Sequence, residues 1–165
     1  MPKDKLDWTS FDWKEFQTLC ISVASMLVPD CNFSDYLKHG QKQEGIDLIG
    51  FKRKEGKFFC IQCKREKKLT TTDLKKIIAE FISGEYFDNS SDFVLATSAD
   101  LQKTDLQKFI NDSKISLFEE YNLVFDCWDE SRIETELALS VGVPTKRNPT
   151  TQCNVSKYRT SPAPV

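Results

Sequence analysis

Long hydrophobic runs are missing from this chain of 165 residues. No apolar segment approaches the roughly 20 residues that a membrane-spanning helix needs. The N-terminus, MPKDKLDWTS, also lacks the hydrophobic segment of a signal peptide. The contents of 39% hydrophobic and 29% charged residues are ordinary for a globular protein. We therefore expect one cytoplasmic domain with a substantial core and no membrane partner.

Histidine is almost absent, since His39 is the only one, and the single C-x-x-C, formed by Cys60 and Cys63, has no second copy. Most of the six cysteines lie within apolar patterns, where reduced cysteines behave as small hydrophobic residues, so we expect a reducing compartment. Zinc or thiol chemistry at Cys60 and Cys63 is kept as an alternative. Against it, side chains three residues apart on a strand point to opposite faces.

The most informative segment is residues 44–65, EGIDLIGFKRKEGKFFCIQCKR. Two runs rich in Ile, Leu, Phe and Cys flank a polar segment with a glycine, which predicts two strands joined by a tight turn. Because strand side chains alternate between faces, Gln62 and Lys64 share one face of the second strand. Asp47 lies alone in the first run, where burying its charge is costly without a cation or hydrogen-bond donors.

These three side chains form a chemically coherent set. Carboxylate and amide oxygens are hard ligands suited to Mg²⁺, and an ammonium group can orient a water or neutralise charge. Taken singly, a polar residue at a strand end is more often solvated or closes a turn. The convergence of Asp47, Gln62 and Lys64 instead favours metal-assisted cleavage of a phosphodiester, with Glu44 as a reserve metal ligand.

This pattern resembles the PD-(D/E)xK nuclease superfamily, and within it the Mrr-like restriction endonuclease branch, where Gln replaces the acidic residue of the triplet. The matching positions are Asp47, Gln62 and Lys64, and the likeness extends over about residues 13–128. The resemblance implies an α/β fold, with a restriction-endonuclease-like mixed central sheet flanked by helices. It also implies a DNA endonuclease that requires Mg²⁺ or Mn²⁺. Asp47, the Gln62 side chain and the Cys63 backbone carbonyl would hold the ion, and Lys64 would orient the attacking water or stabilise the pentavalent phosphorus.

The first predicted helix covers about Ser10 to Leu27, with Thr9 or Ser10 as its cap. In Mrr-like nucleases this helix often carries a glutamate that helps to hold the metal. At about 100° per residue Gln17 lies about 40° from Trp13 on the packed face, whereas Glu15 points about 160° away. Gln17 is therefore the candidate for the site. A neutral amide there leaves the number of metal ions open.

Basic residues are concentrated in one part of a chain whose net charge is −2. Residues 52–76 contain ten basic and three acidic side chains, an electrostatic footprint suited to a phosphate backbone. Arg65, Lys67 and Lys68 continue directly from the strand that carries Lys64, so we predict that they bind nucleic acid. The basic residues of 52–57 fit a solvated turn equally well.

Further elements follow from apolar periodicity and turn signals. They are a first strand within Asn32–Gly40, a helix near 74–87 capped by Thr71 or Thr72, a buried parallel strand at Asp92–Ser98 beside the Lys64 strand, a helix at Asp100–Glu120, a strand at Tyr121–Trp128 and a helix at Asp129–Leu139.

Residues 141–165 lack apolar periodicity and are predicted to be a linker or tail after a domain at 1–140. Mrr-like domains of similar layout occur as N-terminal effectors fused to NTPase sensor modules in bacterial anti-phage proteins, and the chain looks like one of these. It has no GxxxxGK[ST] phosphate loop of its own. Cutting both strands of a duplex normally requires two active sites, so a homo-oligomer is expected. An inactive nuclease-like module that binds DNA or a protein is the main alternative.

Overall fold

The computed structural model describes residues 6–36 and 45–141. Glu44, predicted as a reserve metal ligand, and the predicted tail from residue 142 onward lie outside the described residues. The elements are α1 (Trp13–Leu27), β1 (Phe33–Asp35), β2 (Leu48–Lys52), β3 (Lys57–Lys64), α2 (Thr71–Ile82), β4 (Ser90–Thr97), α3 (Thr104–Tyr121), β5 (Val124–Trp128) and α4 (Glu130–Val141).

The described strands form one sheet in the order β1-β2-β3-β4-β5. The first three are antiparallel, and β4 and β5 continue the sheet in parallel with β3. The predicted turn between β2 and β3 is confirmed. It contains Gly56 at φ +65°, a conformation that costs little only for glycine. The predicted position of the parallel strand beside the Lys64 strand is also confirmed.

Helices cover both faces of the sheet, as expected for an α/β sandwich. One buried cluster joins α1 and α4 to the sheet through side chains such as Phe16, Ile61 and Ile133. The second joins α2 and α3 to the opposite face through side chains such as Phe81 and Phe93, whose rings stack 4.0 Å apart. The predicted mixed sheet flanked by helices is therefore confirmed.

The predicted helix starts were wrong by a few residues. Asp12, and neither Thr9 nor Ser10, caps α1. Its side chain accepts from the Glu15 N–H, and the Glu15 carboxylate accepts from the Asp12 N–H. Reciprocal bonds of this kind satisfy two N–H groups that a helix end otherwise leaves free. Helix α1 consequently begins at Trp13, next to the candidate site.

The start of α2 needs the same correction, since Thr70 caps it in a second reciprocal pair with Asp73. At the other end of the domain, Asn122 adopts a left-handed conformation at φ 54° and ends α3, so β5 begins later than predicted. None of the helices among residues 6–36 and 45–141 is long and apolar enough to cross a membrane.

Candidate active site

A cavity of about 290 Å³ opens where β3 ends, between the start of α1 and the second half of α2. Asp47, Gln62 and Lys64, the three residues predicted from the sequence, all line it. The antiparallel pairing of β2 with β3 brings them together, because Leu48, the residue after Asp47, pairs with Ile61, the residue before Gln62. The full lining consists of Trp13, Gly45, Ile46, Asp47, Gln62, Cys63, Lys64, Arg65, Glu66 and Glu80.

The carboxylate of Asp47 is buried, with 6% of the residue exposed. Its Oδ2 accepts a hydrogen bond of 2.7 Å from the Cys63 N–H, and Oδ1 has no donor among the described residues. Burial raises the pKa of Asp47. The Cys63 N–H and the charge of Lys64 oppose that rise, and the charge of Glu80 adds to it. The Asp47 carboxylate therefore holds its negative charge at a cost that a bound cation would offset.

The amide of Gln62 is the second notable group, because only 4% of the residue is exposed. In the part of the chain that the structure describes, its Oε1 is the one buried side-chain nitrogen or oxygen without a hydrogen-bond partner. An unsatisfied buried polar atom costs about 1–3 kcal/mol of stability. A bound water or ion could supply the missing partner of such an atom.

Gln17 occupies a different place from the one predicted. Its side chain is buried behind Asp47 and is not part of the cavity lining. Its Nε2 donates to the Asp47 carbonyl oxygen at 3.3 Å, and the Tyr36 N–H donates to the same oxygen at 2.8 Å. Gln17 therefore positions the Asp47 backbone and is not a group that faces the cavity.

The end of β3 is fixed by β4. The Lys64 carbonyl accepts from the Thr97 hydroxyl at 2.7 Å and from the Ser98 N–H at 3.3 Å. The Lys64 side chain is half-buried in the cavity wall, and Arg65 is exposed at its rim.

Two further basic residues, Lys67 and Lys68, are exposed just beyond the cavity. Neither forms an ion pair with any other residue that the structure describes. The predicted role of Arg65, Lys67 and Lys68 in binding nucleic acid stays a prediction.

The basic residues of the β2–β3 turn lie at the opposite end of β3, about 23 Å from Lys64 at the usual rise of a strand. Lys52 forms ion pairs with Asp92 at 2.9 Å and Glu55 at 2.7 Å. Lys57 donates to the Asp88 carbonyl at 3.1 Å. These two lysines tie the turn to the rest of the domain and are remote from the cavity.

The cysteine pair does not form a site in the described residues. Cys60 packs with the α2 and α3 cluster beside the Ser90 hydroxyl, and Cys63 packs on the other face with Cys20. Burial raises the pKa of Cys60 to about 11 and that of Cys63 well above its ordinary value, so both stay protonated thiols. No group of three or more His, Cys, Asp or Glu side chains that could hold a metal occurs within 6–36 and 45–141. Zinc and thiol chemistry at Cys60 and Cys63 therefore lack support. Asp47 and Gln62 differ from them in offering oxygen atoms, and not sulfur, as ligands.

Glu80 was missed by the reasoning from sequence. It lines the cavity from α2. In the sequence it follows, by three positions, Ile77, which is a buried residue on the packed face of that helix. No local signal distinguishes it from other acidic residues at the edge of an apolar helix face. Only the path of the crossover helix over the sheet brings Glu80 to the cavity.

The mixed sheet, with a carboxylate, an amide and an ammonium at one strand end, defines a restriction-endonuclease-like α/β domain. Comparison with protein families agrees, since the model of an Mrr family described as restriction endonuclease matches residues 29–137, about two thirds of the chain. The chain belongs to this restriction endonuclease family, which supports a nuclease function. No curated protein and no solved structure matches it.

Proposed function

We propose that this chain is a Mg²⁺-dependent endonuclease, also active with Mn²⁺, that hydrolyses phosphodiester bonds of double-stranded DNA. The observation that carries the proposal is the buried, unpartnered Oε1 of Gln62 beside the Asp47 carboxylate, in a cavity that Lys64 also lines. Membership of the restriction endonuclease family supports the nuclease activity and implies DNA as the substrate.

The residues present suit a hard divalent cation. Mg²⁺ prefers oxygen ligands and is usually held by one or two carboxylates with retained waters. Oδ1 of Asp47, Oε1 of Gln62 and the backbone carbonyl of Cys63 are the oxygens we assign to it. A bound ion of this kind polarises a phosphoryl oxygen and lowers the pKa of a coordinated water.

The chain's own groups then have separate tasks. Asp47 and Gln62 hold the cation, and Gln17 keeps the Asp47 backbone in place through its carbonyl. Lys64 orients the attacking water and stabilises charge that develops on the phosphorus. Arg65, together with Lys67 and Lys68, contacts phosphates of the DNA backbone and sets the position of the strand.

The wider proposal rests on the resemblance to Mrr-like effectors. We infer that the domain acts in the cytoplasm as an effector of anti-phage defence, connected through residues 141–165 to an NTPase sensor module. A homodimer or larger assembly supplies the two active sites that a double-strand break requires. We also propose that Gln62, Cys63 and Lys64 form a Gln-x-Lys variant of the nuclease triplet.

Cleavage of supercoiled plasmid tests the activity directly. The purified chain is incubated with methylated and unmethylated plasmid in Mg²⁺, in Mn²⁺ and in EDTA, beside Lys64→Ala. Lys108→Ala, which removes an exposed lysine on α3, is the matched control. We expect cleavage only with the divalent ions, at least about 100-fold slower for Lys64→Ala and unchanged for Lys108→Ala.

Three results would change the assignment. Cleavage by Lys64→Ala at the wild-type rate would reject the role of the lysine. Plasmid that stays intact but is bound with strong salt dependence would indicate an inactive binding module. Loss of cleavage in a folded Cys60→Ser variant would return thiol chemistry to consideration.

A further inference from the structure

The nuclease motif of this chain supplies a single carboxylate. Gln62 stands at the acidic position of the triplet, and Gln17 stands on the helix where related nucleases often carry a glutamate. A cation held by Asp47 and neutral oxygens alone is bound weakly, because ligand charge largely determines the affinity of carboxylate sites for divalent ions. The cavity is nevertheless lined by two further carboxylates, that of Glu66 after β3 and that of Glu80 on α2.

The approach of Glu80 depends on a glycine. Gly45 lies two residues before Asp47 and has φ +73°. A Cβ atom at this position would lie 3.2 Å from Cγ and 3.4 Å from Cδ of Glu80. The Glu80 side chain therefore packs directly against the backbone that leads into Asp47, in space that a larger residue would occupy.

The two carboxylates belong to one cavity. Glu80 lines it from α2, and Asp47 lines it from the position before β2. Among the described residues, neither of these carboxylates has an ion pair, and the Glu80 carboxylate has no hydrogen bond. Glu66 also lines the cavity, from the segment that follows β3.

An independent observation points to a common partner. Gln62 lines the same cavity with 4% of its surface exposed, and its side-chain oxygen has no hydrogen-bond partner among the described residues. Two carboxylates without an ion pair and an amide oxygen without a donor share one need, a positively charged partner that accepts oxygen ligands.

We propose that Glu80 is the second carboxylate of the cation site and holds a divalent ion together with Asp47 and Gln62. The inference rests on the proposed function and adds to it a ligand from the crossover helix, outside the strand motif. The site then has two carboxylates, one amide and the Cys63 carbonyl as its oxygen groups.

Titration of the metal-free chain with Mn²⁺, without DNA, tests the inference by calorimetry or by the paramagnetic resonance signal of free Mn²⁺. The variants are Glu80→Gln, Glu80→Asp and Asp47→Asn. Glu66→Gln, which removes the same charge from the same cavity, is the comparison. We expect Glu80→Gln to bind Mn²⁺ at least about tenfold more weakly. Glu80→Asp keeps the charge but shortens the side chain, and should lose most of that affinity. Glu66→Gln should lose less than about threefold, because Glu66, which is exposed as Glu80 is, acts on the ion only through a screened charge.

The outcomes separate this inference from the proposed function. If Glu80→Gln binds Mn²⁺ as tightly as wild type while Asp47→Asn does not, Glu80 is no ligand and the proposed function survives. Equal losses in Glu80→Gln and Glu66→Gln also overturn the inference, because they reflect general charge. A wild-type chain that binds no Mn²⁺ overturns both. Circular dichroism and thermal unfolding of each variant confirm that its fold is intact.

Discussion

A buried carboxylate lies near each end of the β2–β3 pair, Asp92 on β4 and Asp47 just before β2, and the two have different partners. Asp92, 9% exposed at the end near the turn, accepts from the Lys52 ammonium and the Ser91 hydroxyl. Asp47, 6% exposed at the cavity end, accepts one backbone N–H and has no ion pair with any described residue.

The difference separates a charge that is balanced within the domain from one that is not. The Lys52 ammonium supplies Asp92 with a cation of opposite charge. Asp47 has no such cation, and beside an unsatisfied amide its buried carboxylate has lost hydration without full replacement. Positive charge alone does not identify the candidate site, since each end carries four basic residues.

The largest expected effect comes from removing the charge at the cavity end. Asp47→Asn should lower the rate of plasmid cleavage by about 1,000-fold, equivalent to about 4 kcal/mol of transition-state stabilisation, because the proposed cation loses its principal ligand. Initial rates of nicking in Mg²⁺ measure this effect. Lys52→Met should cleave at the wild-type rate per folded molecule. A cleavage rate for Asp47→Asn within tenfold of wild type would contradict the claim that the carboxylate at the cavity end, unlike the ion pair at the turn end, is needed for cleavage.

The next effect comes from breaking the ion pair at the turn end. Lys52→Met should lower the free energy of unfolding by about 2 kcal/mol, because Asp92 stays buried without its cation. Urea unfolding measures it. The double variant Lys52→Met/Asp92→Asn should recover part of the loss. A loss below about 0.5 kcal/mol would mean that the pair behaves as an exposed one.

A smaller effect of opposite sign is expected for Gln62→Met. This change removes the unpartnered oxygen and nearly conserves volume, so the metal-free protein should gain about 1 kcal/mol in free energy of unfolding. Mn²⁺ should raise the melting temperature of the wild type more than that of the variant, which keeps the proposed carboxylate ligands. Thermal scans with Mn²⁺ and with EDTA measure both. A less stable variant would indicate that the Gln62 amide has an unrecognised structural partner.

The smallest effect is a dependence on pH. Because the pKa of Asp47 is raised, the Asp47 carboxyl group binds its proton more tightly in the folded state than in the unfolded state. The stability that this provides is present below the ordinary pKa of aspartate and is lost as pH rises through the raised value. The stability advantage of Asp47→Asn over metal-free wild type should therefore grow from acid to neutral pH. Affinity for Mn²⁺ should fall as pH falls through the same raised value.

Urea unfolding at several pH values and Mn²⁺ titration across the same range test these two trends. A stability difference that stays constant with pH would show that Asp47 is not destabilised by its burial.

The sequence predicted the elements whose signals are local. Alternation of apolar residues around the glycine turn placed β2 against β3, and pairing of those strands brought Asp47 beside Gln62 and Lys64. The caps at Asp12 and Thr70 were missed although each is readable as a capping residue followed three positions later by an acidic one.

Other features depend on contacts between distant segments and had no local signal. Periodicity predicted that Gln17 lies on the packed face of α1. It could not predict the hydrogen bond from Gln17 to the Asp47 carbonyl, because that bond depends on how deeply α1 packs on the sheet. Glu80 reaches the cavity because of the length of the crossover between β3 and β4 and the open space at Gly45.

The lone oxygen of Gln62 has a consequence for the history of such domains. An apolar residue at position 62 would raise the free energy of unfolding. Selection for folding alone therefore favours replacement of Gln62 by an apolar residue. Under the proposed function, a lineage that stopped cutting nucleic acid should therefore lose this glutamine early, and one that still cuts should keep it.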